Sequence, residues 1–248
     1  MLFQPERYPY ICTPITGKTN EEIKAQLQET INLKPDIIEW RADFYEHIGD
    51  ENKVMMMLEE IHKRKQNIPL LFTIRSPQEG GENIPLTEEE TTNLIANISK
   101  TDFVDFVDFE LHKKKEHVSF IQNLCQQYEK KLILSYHNFS KTPDKEKLLS
   151  ILTKMEDSGA DVAKVAVMPH KKDDVFALLE TTKEAKQKLS IPLIAISMGE
   201  LGAISRIVGW YWGSCLTFAV ASKASAPGQI EINKLRAMIE QMKQWIQQ

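Results

Sequence analysis

The sequence predicts an α/β fold, a (β/α)8 TIM barrel forming one domain over residues 1–248. Three observations carry that expectation: eight short apolar runs rich in β-branched residues, amphipathic charge-rich stretches between them, and a repeat of roughly 30 residues that fills the chain.

The apolar runs are Tyr10 to Pro14, Ile37 to Trp40, Leu70 to Thr73, Phe103 to Phe109, Lys131 to Tyr136, Val162 to Val167, Pro192 to Ser197 and Cys215 to Ala219. Most are bounded by turn residues, as strands are. The stretches Asn20 to Asn32, Asn52 to Arg64, Lys145 to Ser158 and Asp173 to Leu189 have the mixed apolar and charged spacing of helices that bury one face. A doubly wound open sheet would usually need fewer strands and a glycine-rich phosphate turn, and the chain has neither GxGxxG nor GxxxxGK[ST]. No Ser-rich or Pro-rich linker divides it. The run Lys113 to Lys115 reads as a solvated loop, and the cluster Trp210, Tyr211, Trp212 as packing on a helix face.

Composition narrows the partners. A net charge of -4, from 31 basic and 35 acidic residues mixed along the chain, leaves no footprint for nucleic acid or a membrane surface, so a small diffusible substrate is expected. Cys12, Cys125 and Cys215 are widely spaced and odd in number, which fits buried reduced thiols better than disulfides or a CxxC site. The opening MLFQPERYPY lacks a basic segment followed by an apolar one, and no stretch approaches the roughly 18 apolar residues of a membrane span, so a cytoplasmic location is expected. The absence of HExxH, a Cys/His cluster and a GxSxG elbow argues against metal catalysis and a serine nucleophile.

A barrel of this kind builds its site at the C-terminal ends of the strands. At the end of the second strand, Glu39 and Arg41 share one face and Trp40 takes the other, where helices pack; a structural Glu39–Arg41 ion pair explains the charges as well as a binding role does. The third strand ends at Arg75 and runs into Glu79-Gly80-Gly81, whose glycines permit close approach of backbone to a ligand. The fifth places His137 at the mouth, as a general acid and base or as a satisfied polar residue. The sixth is the most informative. Lys164 stands among Val162, Ala163, Val165 and Ala166, where an ammonium is costly unless it is paired or its pKa falls. A neutral amine there is a nucleophile for a ketone; pairing with Glu39 or Asp161 is the structural alternative. Beyond the seventh strand, Arg206 follows a glycine-containing loop and suits a carboxylate. Beyond the eighth, Lys223 to Gln229 reads as a lid bearing Ser225 and Gln229, or as a plain connection.

Seven segments, in order, resemble one family, type I 3-dehydroquinate dehydratase of the shikimate pathway. They are Glu39-Trp40-Arg41-Ala42-Asp43, Phe72-Thr73-Ile74-Arg75 with Glu79-Gly80-Gly81-Glu82, Ser135 to Phe139, Ala163 to Pro169, Ile196 to Gly199, Ile204-Ser205-Arg206 and Ala224 to Ile230. The resemblance implies a homodimeric barrel hydro-lyase that needs no metal or dissociable cofactor. It implies Lys164 as the Schiff-base lysine, His137 as general acid and base, and Glu79 as the carboxylate that orients it. Arg206 matches the arginine for the substrate carboxylate, and Glu39, Arg41 and Arg75 match residues that contact hydroxyls or shape the site. Ser225 and Gln229 match lid contacts, Met198 and Phe139 apolar walls. Two departures stand out: a bulky Trp210-Tyr211-Trp212-Gly213, and Ala219 where the family commonly has glycine, which could stiffen the approach to the lid. The rival readings are another Schiff-base barrel, such as a class I aldolase, which would need a phosphate loop late in the chain, and a catalytically silent quinate sensor, which would usually add a DNA-binding domain or lose the lysine or histidine.

Overall fold

The computed structural model describes residues 3–221 and 225–246. Eight parallel strands form its centre: β1 (Tyr10–Ile15), β2 (Ile37–Arg41), β3 (Leu70–Thr73), β4 (Phe106–Glu110), β5 (Lys131–Asn138), β6 (Val162–Val167), β7 (Leu193–Ser197) and β8 (Leu216–Val220). Around them lie α1 (Asn20–Asn32), α2 (Glu51–Arg64), α3 (Glu88–Ser99), α4 (Lys115–Gln127), α5 (Lys145–Asp157), α6 (Lys172–Lys188), α7 (Gly199–Val208) and α8 (Ile232–Ile246). The strands neighbour one another in the order β7-β6-β5-β4-β3-β2-β1-β8, and a two-residue β9 (Ile230–Glu231) adds to β8. The ribbon closes at a narrow seam where Leu193 meets Ser214. There the Cys215 N–H donates to the Leu193 carbonyl at 2.8 Å and the Ala195 N–H to Ser214 Oγ at 3.1 Å. The expected barrel is the one found.

The helices read from the sequence agree within a residue at each end. The fourth strand differs more: it begins at Phe106, because Thr101 to Asp105 form the turn out of α3 and Phe103 packs against His62. The segment after β7, expected as a loop, is helix α7, tied to the strand end by Ser205 Oγ, which accepts from the Ser197 N–H at 2.9 Å. Trp210 to Trp212 is a 3₁₀ turn in which Trp210 packs inward and Tyr211 is exposed, so only part of that cluster is packing. Lys113 is not a solvated loop residue, since its ammonium lies 3.5 Å from Glu110 and its side chain is mostly covered. Ala219 packs toward α8 with Ile11, Ile232 and Leu235 and pairs in register with Ile230, the residue after Gln229.

Alternation along each strand sorts the side chains into two cores. Trp40, Phe72, Val107, Leu134, Ala163 and Val165 point outward and bury the apolar stripes of the helices. Ile37, Leu71, Phe106, Ile133, Val162, Ile194 and Leu216 point inward and fill the N-terminal half of the barrel, where Phe3 packs on Tyr10 and Phe106. Each such side chain contributes on the order of 1.5–3 kcal/mol by leaving water. Two residues further along the same strands, the inward positions become Glu39, Thr73, Asp108, Ser135 and Lys164, and then Arg41, Arg75, Glu110 and His137. The barrel is therefore hydrocarbon at one end and charged at the other. The three cysteines are free and buried, as expected. Among the described residues no helix is long and apolar enough to cross a membrane.

Candidate active site

At the C-terminal ends of the strands lies a cleft of about 510 Å³. Its lining includes every residue singled out from the sequence: Glu39, Arg41, Arg75, Glu79, His137, Phe139, Lys164, Met198, Arg206, Ser225 and Gln229. Gly80, Ala166, Ile196, Phe218 and Ala226 complete it. Lys223 and Ala224, in the expected lid, lie outside the described residues.

Lys164 is buried and paired with Glu39, one of the two partners the sequence offered, and more closely with Asp108. Its Nζ donates to Asp108 Oδ2 at 2.9 Å, Glu39 Oε1 stands at 3.8 Å, and the Phe218 ring centroid lies at 4.7 Å. Asp161 instead holds Lys131 outside the barrel. Asp108 was missed because nothing near Lys164 in sequence points to it; β4 and β6 reach the same interior from either side of β5. A visible signal existed in Val107-Asp108-Phe109-Glu110, where two acids alternate with apolar residues and so must share the inner face.

The two arginines of this wall are internally satisfied. Arg41 forms a bidentate pair with Asp43, both contacts at 2.8 Å, so the Glu39–Arg41 ion pair weighed from the sequence is absent; Glu39 accepts instead from Thr73 Oγ1 at 3.0 Å. Arg75 donates to Asp108 at 2.8 Å, Glu110 at 3.1 Å and Ser135 at 2.8 Å, and stands 3.6 Å from Glu79. Burial works against its charge, but these carboxylates outweigh burial and raise its pKa. Asp108 shows the converse: burial opposes ionisation, yet Arg75 and Lys164 hold its carboxyl well below the usual range.

Glu79 closes a 3₁₀ turn, Pro77–Glu79, that ends on Gly80 at φ +82°. A Cβ on Gly81 would lie 1.9 Å from the Arg75 carbonyl oxygen. Gly81 thus lets the loop fold onto the protein's own backbone, Gly80 lies at the cleft, and the fold carries Glu79 beneath the end of β5. Its Oε2 lies 2.7 Å from His137 Nδ1 and also accepts the His137 N–H at 3.1 Å. Its Oε1 lies 3.1 Å from Nδ1 of His112, a histidine the sequence reading passed over. Burial would raise the Glu79 pKa, but hydrogen bonds from both histidines and the Arg75 charge bring it to about 2. His137 is pushed down to about 4, chiefly by burial, then by the Arg75 and Lys164 charges, with Glu79 opposing. A neutral imidazole whose Nδ1–H faces a carboxylate keeps Nε2 free to accept a proton. Phe139 covers Gly80 at the rim.

Across the cleft the wall is Ile196, Met198 and Phe218, with one cation among them. Arg206 is 2% exposed; among the described residues it donates only to the carbonyls of Phe218 at 3.5 Å and Pro227 at 3.0 Å, and its Nε has no partner there. Among the described residues no carboxylate pairs with it, and burial alone lowers its pKa to about 10, so it stays charged near neutrality. Ser225 and Gln229 hydrogen-bond each other beside it: the Gln229 side-chain carbonyl accepts from the Ser225 N–H at 2.8 Å, and its amide donates to Ser225 Oγ at 3.1 Å.

Glu79, Glu110 and His112 bring one ligand atom each within 4.8 Å of one another, a grouping that sequence spacing hides. Arg75 and Lys113 already supply these carboxylates with positive charge, at 3.1 and 3.5 Å from Glu110.

The chain matches the family model described as type I 3-dehydroquinase over residues 11–245. It is 47% identical over 231 residues to a 3-dehydroquinate dehydratase of Geobacillus sp. (strain WCH70), covering 93% of this chain and 89% of the relative. The crystal structure of 3-dehydroquinate dehydratase from Geobacillus kaustophilus HTA426 superimposes with a TM-score of 0.94 at 41% identity, covering 96% of this chain and 93% of that one. The type I enzyme from Clostridium difficile, solved with covalent modified comenic acid, gives 0.92 at 40% identity over 95% and 93%.

Proposed function

The chain belongs to the type I 3-dehydroquinase family, and we propose that it dehydrates 3-dehydroquinate to 3-dehydroshikimate through an iminium on Lys164, with His137 as general acid and base. One observation carries this reading. A single cleft holds a buried amine, a neutral imidazole backed by an ionised carboxylate, and a buried guanidinium with no counter-ion among the described residues, which together suit a hydroxylated keto acid. An unpaired cation in an apolar wall costs stability, so its presence is best explained by an anionic ligand.

In this reading Arg206 takes the substrate carboxylate, which fixes the ring so that the C3 ketone meets Lys164 and the C2 hydrogen meets His137. Attack requires the free amine, and neutral His137 accepts the proton Lys164 sheds. The amine adds to the C3 ketone, and His137 returns that proton to the carbinolamine hydroxyl, which leaves as water to give the C3 iminium and a neutral imidazole. His137 then removes the C2 proton, and the C–H electrons move into the iminium to form an enamine. The enamine expels the C1 hydroxyl, which leaves as water with the proton carried by His137, so one imidazole serves one face in a syn elimination. Water then adds to the conjugated iminium, releases the enone and returns Lys164. Glu79 fixes the His137 tautomer, Asp108 and Arg75 hold Lys164 and the floor of the cleft in register, and Glu39 and Arg41 face the ring hydroxyls.

The test is borohydride trapping with 3-dehydroquinate, followed by peptide mass spectrometry. A reduced adduct on Lys164 is expected. His137→Ala should still trap the ketone but lose turnover, and active enzyme without an adduct would sink the mechanism. We further propose a cytoplasmic homodimer. The pairing is supported by Leu201, Ile204, Tyr211, Met238, Trp245 and Ile246, large apolar side chains exposed on α7, α8 and the turn between them and β8. Light scattering checks it, with a monomer's mass as the contrary result.

A further inference from the structure

Glu79 serves two histidines, and only one of them faces the substrate cleft. His137 takes Oε2 from inside the barrel mouth, and His112, from the loop after β4, takes Oε1 at 3.1 Å. Among the described residues His112 is the one donor to that oxygen. Its side chain is 39% exposed and opens on two surface grooves outside the barrel. The line from solvent through His112 and the two oxygens of Glu79 to His137 Nδ1 is continuous.

We propose that His112 is a positioning residue for the acid–base histidine, bracing Glu79 from behind and passing the charge state of the outer surface to His137. The inference rests on the reading of His137 as the base. The geometry gives the mechanism. A carboxylate whose second oxygen is engaged by an N–H cannot rotate and pulls less strongly on the His137 Nδ1–H. Without His112, Oε1 would be a buried oxygen with no donor, free to turn away from β5 or to draw harder on His137.

The groups around His112 favour its charged form. Glu79 and Glu110, whose Oε2 is 3.8 Å from Nε2, favour the imidazolium, and Lys113 opposes it. The grooves on either side add Glu88 from α3, Lys115 from α4, and Lys154 and Asp157 from α5. The hydrogen bond to Glu79 is the largest influence and raises the His112 pKa, against partial burial. Protonated His112 should therefore weaken Glu79 as an acceptor and lower the basicity of His137; neutral His112 should do the reverse.

The experiment follows both rings by NMR with labelled histidine and measures kcat and KM against pH for the parent, His112→Phe and His112→Gln. In the parent, the His137 resonances should show a second inflection where His112 titrates. Phe should raise the His137 pKa by about one unit and lower kcat roughly tenfold with KM within about twofold, since the loss falls on chemistry rather than binding. Gln keeps an N–H for Oε1 but cannot titrate, and should restore kcat to within about threefold while abolishing the second inflection. Identical His137 titration in all three proteins, or equal losses in Phe and Gln, would overturn the proposal. His137→Ala is measured in parallel: turnover at the parent rate there would remove the base reading itself, an outcome separate from any result at His112.

Discussion

The two walls of the cleft handle charge in opposite ways. On the β2 to β5 side every ionised group is matched inside the protein: Arg41 with Asp43, Arg75 with Asp108 and Glu110, Glu79 with two histidines. On the β7 to β8 side Arg206 stands in an apolar wall with two backbone carbonyls for company. A matched network resists movement and fixes the reacting groups. An unmatched cation holds its interaction in reserve for a ligand. In the proposed function, the difference separates a side that positions from a side that binds.

Breaking the matched side should have the largest effect on folding. Arg75→Met leaves Asp108 and Glu110 buried without their main cation, and loss of about 3–5 kcal/mol in urea denaturation is expected. Asp108 would then lose the guanidinium that holds its carboxyl ionised, so the loss should shrink as pH falls. A variant as stable as the parent would mean the network is spectator charge.

The unmatched side should respond with the opposite sign. Arg206→Met removes a buried charge that no acid balances, so urea stability should not fall, while kcat/KM drops roughly a hundredfold, or about 3 kcal/mol, through the lost carboxylate contact. A parallel loss of stability and activity would show that Arg206 belongs to the matched class after all.

How far the sequence could be read follows the same division. Strand positions, the helical stretches and the face on which Lys164 lies depend on near neighbours, and period-two alternation exposes them. Lys164 and its partner Asp108 meet only because the strands between them share a register, and no local pattern fixes that register. Glu39 and Arg41 were candidates for one another as strand neighbours, yet Arg41 took Asp43, two residues on, once the chain turned into the 3₁₀ segment Ala42–Phe44. His112 escaped notice because a histidine beside three lysines looks like solvated loop until the Glu79 turn is folded beneath it.

Acid should expose the matched side next. His137 has a folded pKa of about 4 against an ordinary 6.5, so between those values the unfolded chain binds the proton and the folded one does not. Stability therefore falls as pH drops from 6.5 toward 4, by roughly 2–3 kcal/mol from this residue. Glu79 adds a loss as pH falls from its ordinary 4.5 toward about 2. The stability difference between the parent and His137→Gln, measured by urea denaturation at successive pH values, should change across the first window; a flat difference would place His137 in a more solvated setting.

The smallest effects belong to the segment that borders the binding side. The resemblance assigns Ser225 and Gln229 to the substrate, but here the Gln229 amide is engaged with the turn itself, accepting from the N–H groups of Ser225 and Ala226 at 2.8 and 3.3 Å and donating to Ser225 Oγ. The Pro227 carbonyl of the same turn accepts from both Gly199 N–H and Arg206 Nη2. Gln229 thus shapes the loop that abuts the guanidinium, and Ser225 is one end of that shape. Gln229→Ala should raise KM roughly fivefold, about 1 kcal/mol, with urea stability unchanged, whereas Ser225→Ala keeps its backbone N–H on Gln229 and should cost about two- to threefold. If Ser225→Ala proves the more damaging, its hydroxyl is spent on the substrate, and the binding side extends from Arg206 into the lid.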